Sequence, residues 1–298
     1  MIKDFLRQFI NETVQYVPNP GNAGDSIIAS ATYQVFDRIG LKYEMHTPND
    51  FESTNQIVIY GGGGNLVGEN TFSAKVLRRV HDRARKLIVL PHTIKDVDEL
   101  LKSFTSKTTI ICRETVSYEY VSRMVSGPQV YLSDDMAFSL DPDALMKKDQ
   151  TWGLAHSLTG FLKAYLDGTP RPWSRAVVKR WLYPITRLSL ETGHPKRQLN
   201  ALRTDGDRTD LPLAGDNLDV SQIFDFGVCP REIADFASAQ MLGYLSDYER
   251  VVTNRLHVAI SAALLGKQVE LHSNGYYKCR AVYEYSMKDR FSNVTFVA

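Results

Sequence analysis

The stretch QIVIYGGGGN, from Gln56 to Asn65, places a short apolar run directly before four consecutive glycines. The run Gln56–Tyr60 has the length and the Ile and Val content of a buried β-strand. Four glycines lose much conformational entropy on folding, which favours a loop that a ligand must approach closely. The alternative is a flexible hinge. The stretch therefore predicts a strand of a parallel sheet that ends in a ligand loop.

Similar units lie on both sides of this stretch, because short Ile- and Val-rich strands alternate with helices in the manner of βαβ units. The predicted strands are 42–46, 56–60, 86–90, 108–112, 129–132, 198–202, 249–252 and 268–271. The predicted helices are 2–15, 26–39, 71–84, 97–104, 115–125, 230–245 and 256–265. We expect two α/β domains, 1–145 and 146–298, facing a cleft at the carboxyl ends of the strands, where open sheets bind ligands.

The composition is that of an ordinary globular protein. The 298 residues include 35 Lys and Arg against 34 Asp and Glu, and 43% are hydrophobic, which excludes global disorder and disfavours a nucleic-acid binder. Three separated cysteines without a CxxC pair predict neither a disulfide framework nor a zinc cluster, and suit a reducing cytoplasm. We expect no signal peptide, no membrane-spanning segment and no metal.

Candidate ligand-binding residues follow the predicted strands. The loop Gly21–Asp25 (GNAGD) precedes a helix whose N-terminal N–H groups can bind an anion, although it could be an ordinary turn with Asp25 as helix cap. The cations Arg113, Arg203 and Lys278 each follow a predicted strand, which suggests an anionic substrate, with ordinary surface charge as the equal alternative. These positions together predict an anion site in the cleft.

The segment Thr253–His257 (TNRLH) carries the candidate catalytic groups. Arginine suits bidentate capture of phosphate or carboxylate, and histidine suits proton transfer near neutral pH. The alternative for His257 is a structural imidazole. Asp134 and Asp135 are neighbours that face opposite ways on an extended chain, so we expect no catalytic pair there.

With these loops identified, the chain resembles the polysaccharide pyruvyl transferase family. The matching pieces, in family order, are GNAGD (21–25), GGGGN (61–65), LPHTI (90–94), CRETVSYEYV (112–121), DDMAF (134–138), LRTDGD (202–207), TNRLHVAISAALLG (253–266) and SNGYYK (273–278). The LRTD and NGYYK pieces look most like the branch that acts on bacterial exopolysaccharides. The stretch 150–198 carries no family motif.

The resemblance implies a glycosyltransferase-B-like arrangement of two Rossmann-like domains. It implies phosphoenolpyruvate as donor substrate, with no cofactor, and a saccharide with two hydroxyls as acceptor, which becomes a cyclic pyruvate ketal. By position, Arg255 and His257 match the family's Arg–Leu–His segment and are the expected catalytic residues, with His257 as general acid and base. The expected substrate-binding residues are Gly21, Asn22, Gly24, Asp25, Gly62, Gly63, Asn65, Arg113, Arg203, Asn274 and Lys278.

Two other functions stay open at this point: a nucleotide-sugar glycosyltransferase of similar fold, and a non-catalytic protein that binds glycans in a biosynthetic complex. A separate hypothesis concerns 150–198, which holds every tryptophan, Trp152, Trp173 and Trp181. From Lys163 to Arg208, a range that overlaps this stretch, ten basic residues against four acidic residues give a local charge of +6. Such a segment suits peripheral contact with the inner face of a membrane, where lipid-linked saccharides are made, or else a packed helical insert.

Overall fold

A computed structural model describes residues 2–49, 51–52, 55–147, 197–205, 211–212 and 214–298. They form two parallel β-sheets with packed helices, which confirms the expected α/β class. The strands are β1 (Thr13–Val17), β2 (Lys42–Met45), β3 (Ile57–Tyr60), β4 (Gly63–Val67), β5 (Lys86–Lys95), β6 (Thr108–Cys112), β7 (Gln129–Leu132), β8 (Gln198–Ala201), β9 (Arg250–Thr253), β10 (Gln268–His272) and β11 (Val294–Val297). The helices are α1 (Ile2–Arg7), α2 (Ala23–Ile39), α3 (Phe72–Val80), α4 (Asp98–Ser103), α5 (Thr115–Met124), α6 (Pro142–Lys147), α7 (Val220–Ile223), α8 (Arg231–Ser246), α9 (Leu256–Leu264) and α10 (Lys278–Val282).

The first sheet has seven strands in the order β2-β1-β3-β5-β6-β7, with β4 also paired to β5. Every residue of β3 and β6 is buried, as expected where helices cover both faces of a parallel sheet. Strands β3 and β4 follow one another along β5, and the break between them is Gly61–Gly62. Gly63 and Gly64 therefore belong to a strand paired with β5, and the glycine-rich stretch is not a free loop.

The second sheet has four parallel strands in the order β11-β10-β9-β8. Strand β11 was not among the predicted strands, and it pairs with β10 from Val269 to His272. It has only four residues, of which Val294 alone is buried, and so gives little signal in the sequence. The strand completes the outer edge of this sheet.

Helix α2 connects the two halves of the molecule. Nearly all of its residues from Ala23 to Phe36 are buried, because it packs on the first sheet and also along α8 of the second half. The hydroxyls of Ser30 and Ser238 lie 3.1 Å apart, and Ser26 donates to the carbonyl of Gly227. One apolar core consequently runs through both halves. This packing holds the carboxyl ends of the two sheets against one another, while the domain boundary near 145 stays a prediction.

Two predicted elements were wrong in extent. The helix expected over 2–15 ends at Arg7, and Thr13–Val17 is instead an interior strand between β2 and β3. Its β-branched residues gain more from the sheet than from a helix. The strand expected to stop before Pro91 continues to Lys95, and the ladder with β6 shifts register between Val89 and His92. A proline has no N–H for the ladder, and the irregularity accommodates it.

The tryptophans and the basic stretch 150–198 lie outside the described residues, apart from Arg197 and Gln198, so the membrane hypothesis stays a prediction. Within the described part of the chain, no helix combines the length and the apolar character that crossing a membrane requires.

Candidate active site

A cavity of about 130 Å³ lies at the carboxyl ends of strands from both sheets. Its walls come from segments that follow β1, β6, β8, β9 and β10, together with β4 and α7. The lining residues are Asn22, Asp25, Gly64, Asn65, Arg113, Arg203, Ser221, Arg255, Leu256, His257 and Lys278. This is the edge at which parallel sheets bind ligands.

The cavity brings together most of the residues expected from the sequence. The expected residues in its lining are Asn22, Asp25, Asn65, Arg113, Arg203, Arg255, His257 and Lys278. The expected residues outside its lining are Gly21, Gly24, Gly62, Gly63 and Asn274. Asn274 is buried and accepts a hydrogen bond from the backbone N–H of Cys279, which orders the loop that carries Lys278. The chemical roles of all these residues stay predictions.

The glycines make room for the protein's own atoms. A Cβ added to Gly62 would lie 2.7 Å from the carbonyl oxygen of Pro91, and one added to Gly63 would lie 2.3 Å from the side chain of Asn19. A Cβ on Gly21 would overlap the carboxylate of Asp25. The close approach that the sequence suggested is thus between loops of this chain, and Gly64 alone of the four consecutive glycines lines the cavity.

Arg113 is the most completely buried cation of the site, with no exposed surface. Its Nε donates to Oγ1 of Thr93 at 2.8 Å, and its Nη1 donates to Oδ2 of Asp135 at 2.7 Å. Its Nη2 is buried and has no hydrogen-bond partner among the described residues. An unpartnered N–H of a buried guanidinium is costly, so this atom marks a place for an anionic ligand.

Asp135 joins this arginine to His257. Burial alone would raise the pKa of Asp135, but hydrogen bonding to His257 and the charge of Arg113 outweigh it and hold that pKa well below its usual range. The Nε2 atom of His257 lies 3.5 Å from Oδ2 of Asp135 and 3.5 Å from Nη1 of Arg113. A carboxylate in this position fixes the ring and compensates the charge of an imidazolium.

The first turns of two helices meet at His257. Helix α9 begins at Leu256, so His257 lies in its first turn, and its ring packs against Gly24 in the first turn of α2. A Cβ on Gly24 would lie 2.6 Å from Nδ1 of His257. Gly24 is therefore needed for the position of the imidazole. Two helix N-termini directed at one cavity also favour an anion there.

Arg255 points away from His257, into the second half of the molecule. It is the N-cap of α9, where the backbone is extended, and its Nε donates to Oδ1 of Asp219 at 2.9 Å. Its Nη2 also pairs with Asp205 at 2.8 Å, and Arg203 forms a second ion pair with Asp205. Carboxylates thus compensate the charge of Arg255, which fits a residue that positions the start of α9 better than a direct ligand of the donor.

Asp25 is the cavity carboxylate with the most unusual surroundings. Instead of capping α2 itself, it is the third helical residue of a capping box in which Asn22 is the N-cap. Its Oδ2 accepts from the backbone N–H of Asn22 at 3.0 Å, and its Oδ1 accepts from Asn19 at 3.3 Å. Burial raises the pKa of Asp25 to about 6, although the nearby charges of His257 and Arg113 oppose that rise.

A chain of polar side chains lies behind Asp25. The side-chain oxygen of Asn19 accepts hydrogen bonds from Tyr60 at 2.9 Å and from Ser73 at 3.0 Å. Ser73 also contacts Asn65, whose Oδ1 lies 3.3 Å from Nε2 of His92. Burial and the charge of Arg113 lower the pKa of His92 to about 3, so its ring is neutral. This network holds Asn65 and Asp25 in place at the cavity wall.

Sequence reasoning missed Asp135, Asp219 and Ser221. Asp135 had a signal, because it follows β7 at the same edge as Arg113, but it was considered only as a pair with Asp134. Asp134 in fact turns away and accepts a hydrogen bond from Ser286. Asp219 and Ser221 follow no predicted strand, so nothing in the sequence indicated them.

Among the described residues, no group of three His, Cys, Asp or Glu side chains is arranged to hold a metal ion.

Two comparisons with known proteins point to one family, and a third finds a similar solved structure. A family model described as polysaccharide pyruvyl transferase matches residues 22–269. EpsO of Bacillus subtilis (strain 168), whose name assigns it provisionally as a pyruvyl transferase, is 24% identical over 284 residues, which cover 88% of this chain and 80% of that protein. A functionally uncharacterised protein from Klebsiella pneumoniae subsp. pneumoniae NTUH-K2044 has a similar solved structure, with 28% identity and a TM-score of 0.75. That comparison covers 100% of this chain and 97% of the other.

Proposed function

Because the chain belongs to the polysaccharide pyruvyl transferase family, we propose that it moves pyruvate from phosphoenolpyruvate to a saccharide and closes a cyclic ketal across two hydroxyls. The observation that carries this proposal is Nη2 of Arg113, a buried cationic N–H without a protein partner at the cavity wall. Phosphoenolpyruvate offers a carboxylate and a phosphate, either of which an arginine can bind in bidentate fashion.

The cavity suits a small dianionic donor. Arg113 and Lys278 come from opposite halves of the molecule, and both approach Gly64: a Cβ on that glycine would lie 2.4 Å from Nη2 of Arg113 and 3.1 Å from Cδ of Lys278. The first turns of α2 and α9 add partial positive charge. In our proposal Arg113 and Lys278 hold the donor, and Asn22 and Asn65 offer hydrogen bonds to its oxygens.

His257 is the proposed acid and base. Its imidazolium gives a proton to the methylene carbon of the donor, the double bond is lost, and C2 becomes an oxocarbenium-like centre. A saccharide hydroxyl attacks C2, and its proton goes to the neutral imidazole, which restores the imidazolium. The C2–O bond to phosphate breaks, the second hydroxyl attacks the same carbon to close the ketal, and its proton ends on the departing phosphate, which leaves as hydrogen phosphate. The Asp135 carboxylate beside Nε2 compensates the charge whenever the imidazolium is formed.

The wider arrangement follows from the same proposal. The two parallel sheets serve as two Rossmann-like domains in a glycosyltransferase-B-like arrangement, and the acceptor approaches from the open side of the cavity. A lipid-linked saccharide at the inner face of the membrane is the proposed acceptor, for a protein that works in the cytoplasm on exopolysaccharide or cell-surface glycan. The stretch 150–198 is the proposed membrane contact.

The test is incubation with phosphoenolpyruvate and extracted lipid-linked saccharides, followed by measurement of released phosphate and by mass analysis of the saccharide. We expect one phosphate for each pyruvate ketal formed, and loss of both in His257→Ala. Release of a nucleoside diphosphate from a nucleotide sugar, without phosphate from phosphoenolpyruvate, would instead show a glycosyltransferase. Binding of phosphoenolpyruvate with no turnover on any saccharide would show a non-catalytic glycan-binding member.

A further inference from the structure

Among the described residues, four carboxylates lie in or next to the cavity wall, and three of them have an arginine as partner. Asp135 pairs with Arg113, and the other two, Asp205 and Asp219, pair with Arg255. Asp25 is different. Among the described residues it forms no ion pair, and its two oxygens accept only from uncharged groups, the backbone N–H of Asn22 and the amide of Asn19.

Asp135, Asp205 and Asp219 thus already compensate the charges of Arg113 and Arg255 before any donor enters. At the cavity wall, the carboxylate and phosphate of phosphoenolpyruvate then meet His257 and the N–H of Arg113 that has no partner among the described residues. An ionised Asp25 would add a third negative group to the same small, buried volume. Like charges that share a buried site raise the pKa of the group that can most easily take up a proton.

We propose that Asp25 is the second catalytic acid and base of this site, and that it carries a proton whenever the anionic donor is bound. This inference rests on the proposed pyruvyl transfer. The carboxyl lines the cavity, is partly buried, and is held in one orientation by the capping box of α2 and by Asn19. Burial already places its pKa near the pH at which a cell works.

A second proton carrier is what the reaction requires, because two hydroxyl protons must leave the acceptor. His257 gives one proton to the methylene carbon and recovers one from the first hydroxyl. The Asp25 carboxylic acid gives its proton to the bridging oxygen as the C2–O bond to phosphate breaks, and inorganic phosphate departs. The second hydroxyl then attacks C2, and its proton returns to the Asp25 carboxylate. Each residue gives and recovers one proton, so the enzyme ends in the state in which it began.

The charged and titratable groups that face Asp25 are His257, Arg113, Lys278 and, from β3, the Tyr60 hydroxyl. The three cationic groups favour the carboxylate, and the donor anion offsets them on binding. Proton uptake on binding is therefore the direct signature of the proposal, and it does not depend on knowing the acceptor.

The first experiment is calorimetry of phosphoenolpyruvate binding at pH 7 in buffers with different ionisation enthalpies. We expect the wild-type protein to take up about one proton, and Asp25→Asn to bind phosphoenolpyruvate within about threefold of the wild-type affinity with that uptake removed. His257→Gln is the comparison that identifies any proton taken up by the imidazole. Glu114→Gln is the matched control, because Glu114 is also a buried carboxyl with a raised pKa, but it lies outside the cavity lining. Its uptake should equal that of the wild type.

The second experiment is turnover with phosphoenolpyruvate and extracted lipid-linked saccharides. General acid–base catalysis contributes about 10²- to 10⁴-fold, so Asp25→Asn should lose at least about 100-fold in kcat with little change in KM for the donor. In the wild-type protein, kcat/KM should fall as the pH rises past the pKa of Asp25, because the protonated carboxyl is the acid. This fall should be absent in the variant.

Different results separate the two proposals. If Asp25→Asn keeps kcat within about threefold, or keeps the proton uptake, the inference is overturned while pyruvyl transfer stands. If the folded variant no longer binds phosphoenolpyruvate, Asp25 is a donor-binding or structural residue, and the inference is overturned as well. If the wild-type protein neither binds nor consumes phosphoenolpyruvate, the proposed function fails, and the role of Asp25 fails with it.

Discussion

Replacing Gly24 by alanine tests whether the position of His257 depends on the first turn of α2. The added Cβ would lie 2.6 Å from Nδ1 of His257 and 3.0 Å from both its Cβ and its Cγ. Ordinary van der Waals contact begins at 3.4 Å, so the distance between the new Cβ and Nδ1 would have to grow by about 0.8 Å. Because the base of the side chain is involved, rotation of the ring alone does not relieve the overlap.

The expected loss is in catalysis more than in stability. A displacement of about 1 Å in a catalytic group can lower the rate by about 100-fold. Overpacking lowers the free energy of unfolding by about 1–3 kcal/mol, but replacing glycine by alanine in a helix returns up to about 1 kcal/mol. Gly24→Ala should therefore remain folded, with a loss of stability of at most about 3 kcal/mol.

The assay is phosphate release from phosphoenolpyruvate with lipid-linked saccharide, next to thermal unfolding of the same samples. Gly243→Ala is the matched control, because Gly243 lies within α8 and a Cβ there would meet nothing within 4 Å. The control should keep full activity and gain up to about 1 kcal/mol. Equal kcat/KM for the two variants would refute the reasoning, as would a structure of Gly24→Ala with His257 unmoved.

Further predictions concern the buried charges. Asp25→Asn should raise the free energy of unfolding at pH 8 by at most about 3 kcal/mol, because burial raises the pKa of Asp25 to about 6 and so disfavours its ionised form in the folded state. That gain should shrink as the pH falls through 6 and vanish only below the ordinary carboxyl pKa, near pH 3, where the carboxyl is protonated in both states; urea unfolding that shows the same gain at pH 8 and near pH 3 would contradict it. Arg255→Met should lower the free energy of unfolding by about 3–5 kcal/mol, because it leaves Asp219 buried without its cation. Adding Asp219→Leu should recover part of this loss, whereas a purely additive double mutant in denaturant titrations would show that the two residues are not coupled. Arg113→Lys should weaken phosphoenolpyruvate binding by about 10- to 100-fold, since an ammonium cannot reach Thr93, Asp135 and the ligand at once; calorimetry that finds unchanged affinity would argue against this geometry.

The α/β class and the location of the site could be predicted because they depend on local patterns. Short Ile- and Val-rich runs such as Thr108–Cys112 have few alternatives to a buried strand. Parallel strands place their carboxyl ends at one edge of a sheet, so Arg113 was expected at that edge of the first sheet, and His257 and Lys278 at that edge of the second. The N-terminal boundary failed because Thr13–Val17 belongs to the sheet interior, and only neighbours distant in sequence stabilise it there.

What the sequence by itself determined is therefore the alternation of strands and helices over most of the chain, and most of the polar residues at one edge. Tertiary structure decided what each of those residues contacts. Arg113 and Arg255 both follow strands, yet packing leaves one N–H of Arg113 without a partner and surrounds Arg255 with carboxylates. Their charges act over a few ångströms inside a water-poor interior, where a neighbour such as Asp135 or Asp219 decides whether a cation is available to a ligand. Such distances depend on how α2 joins the two halves, and no local pattern encodes them.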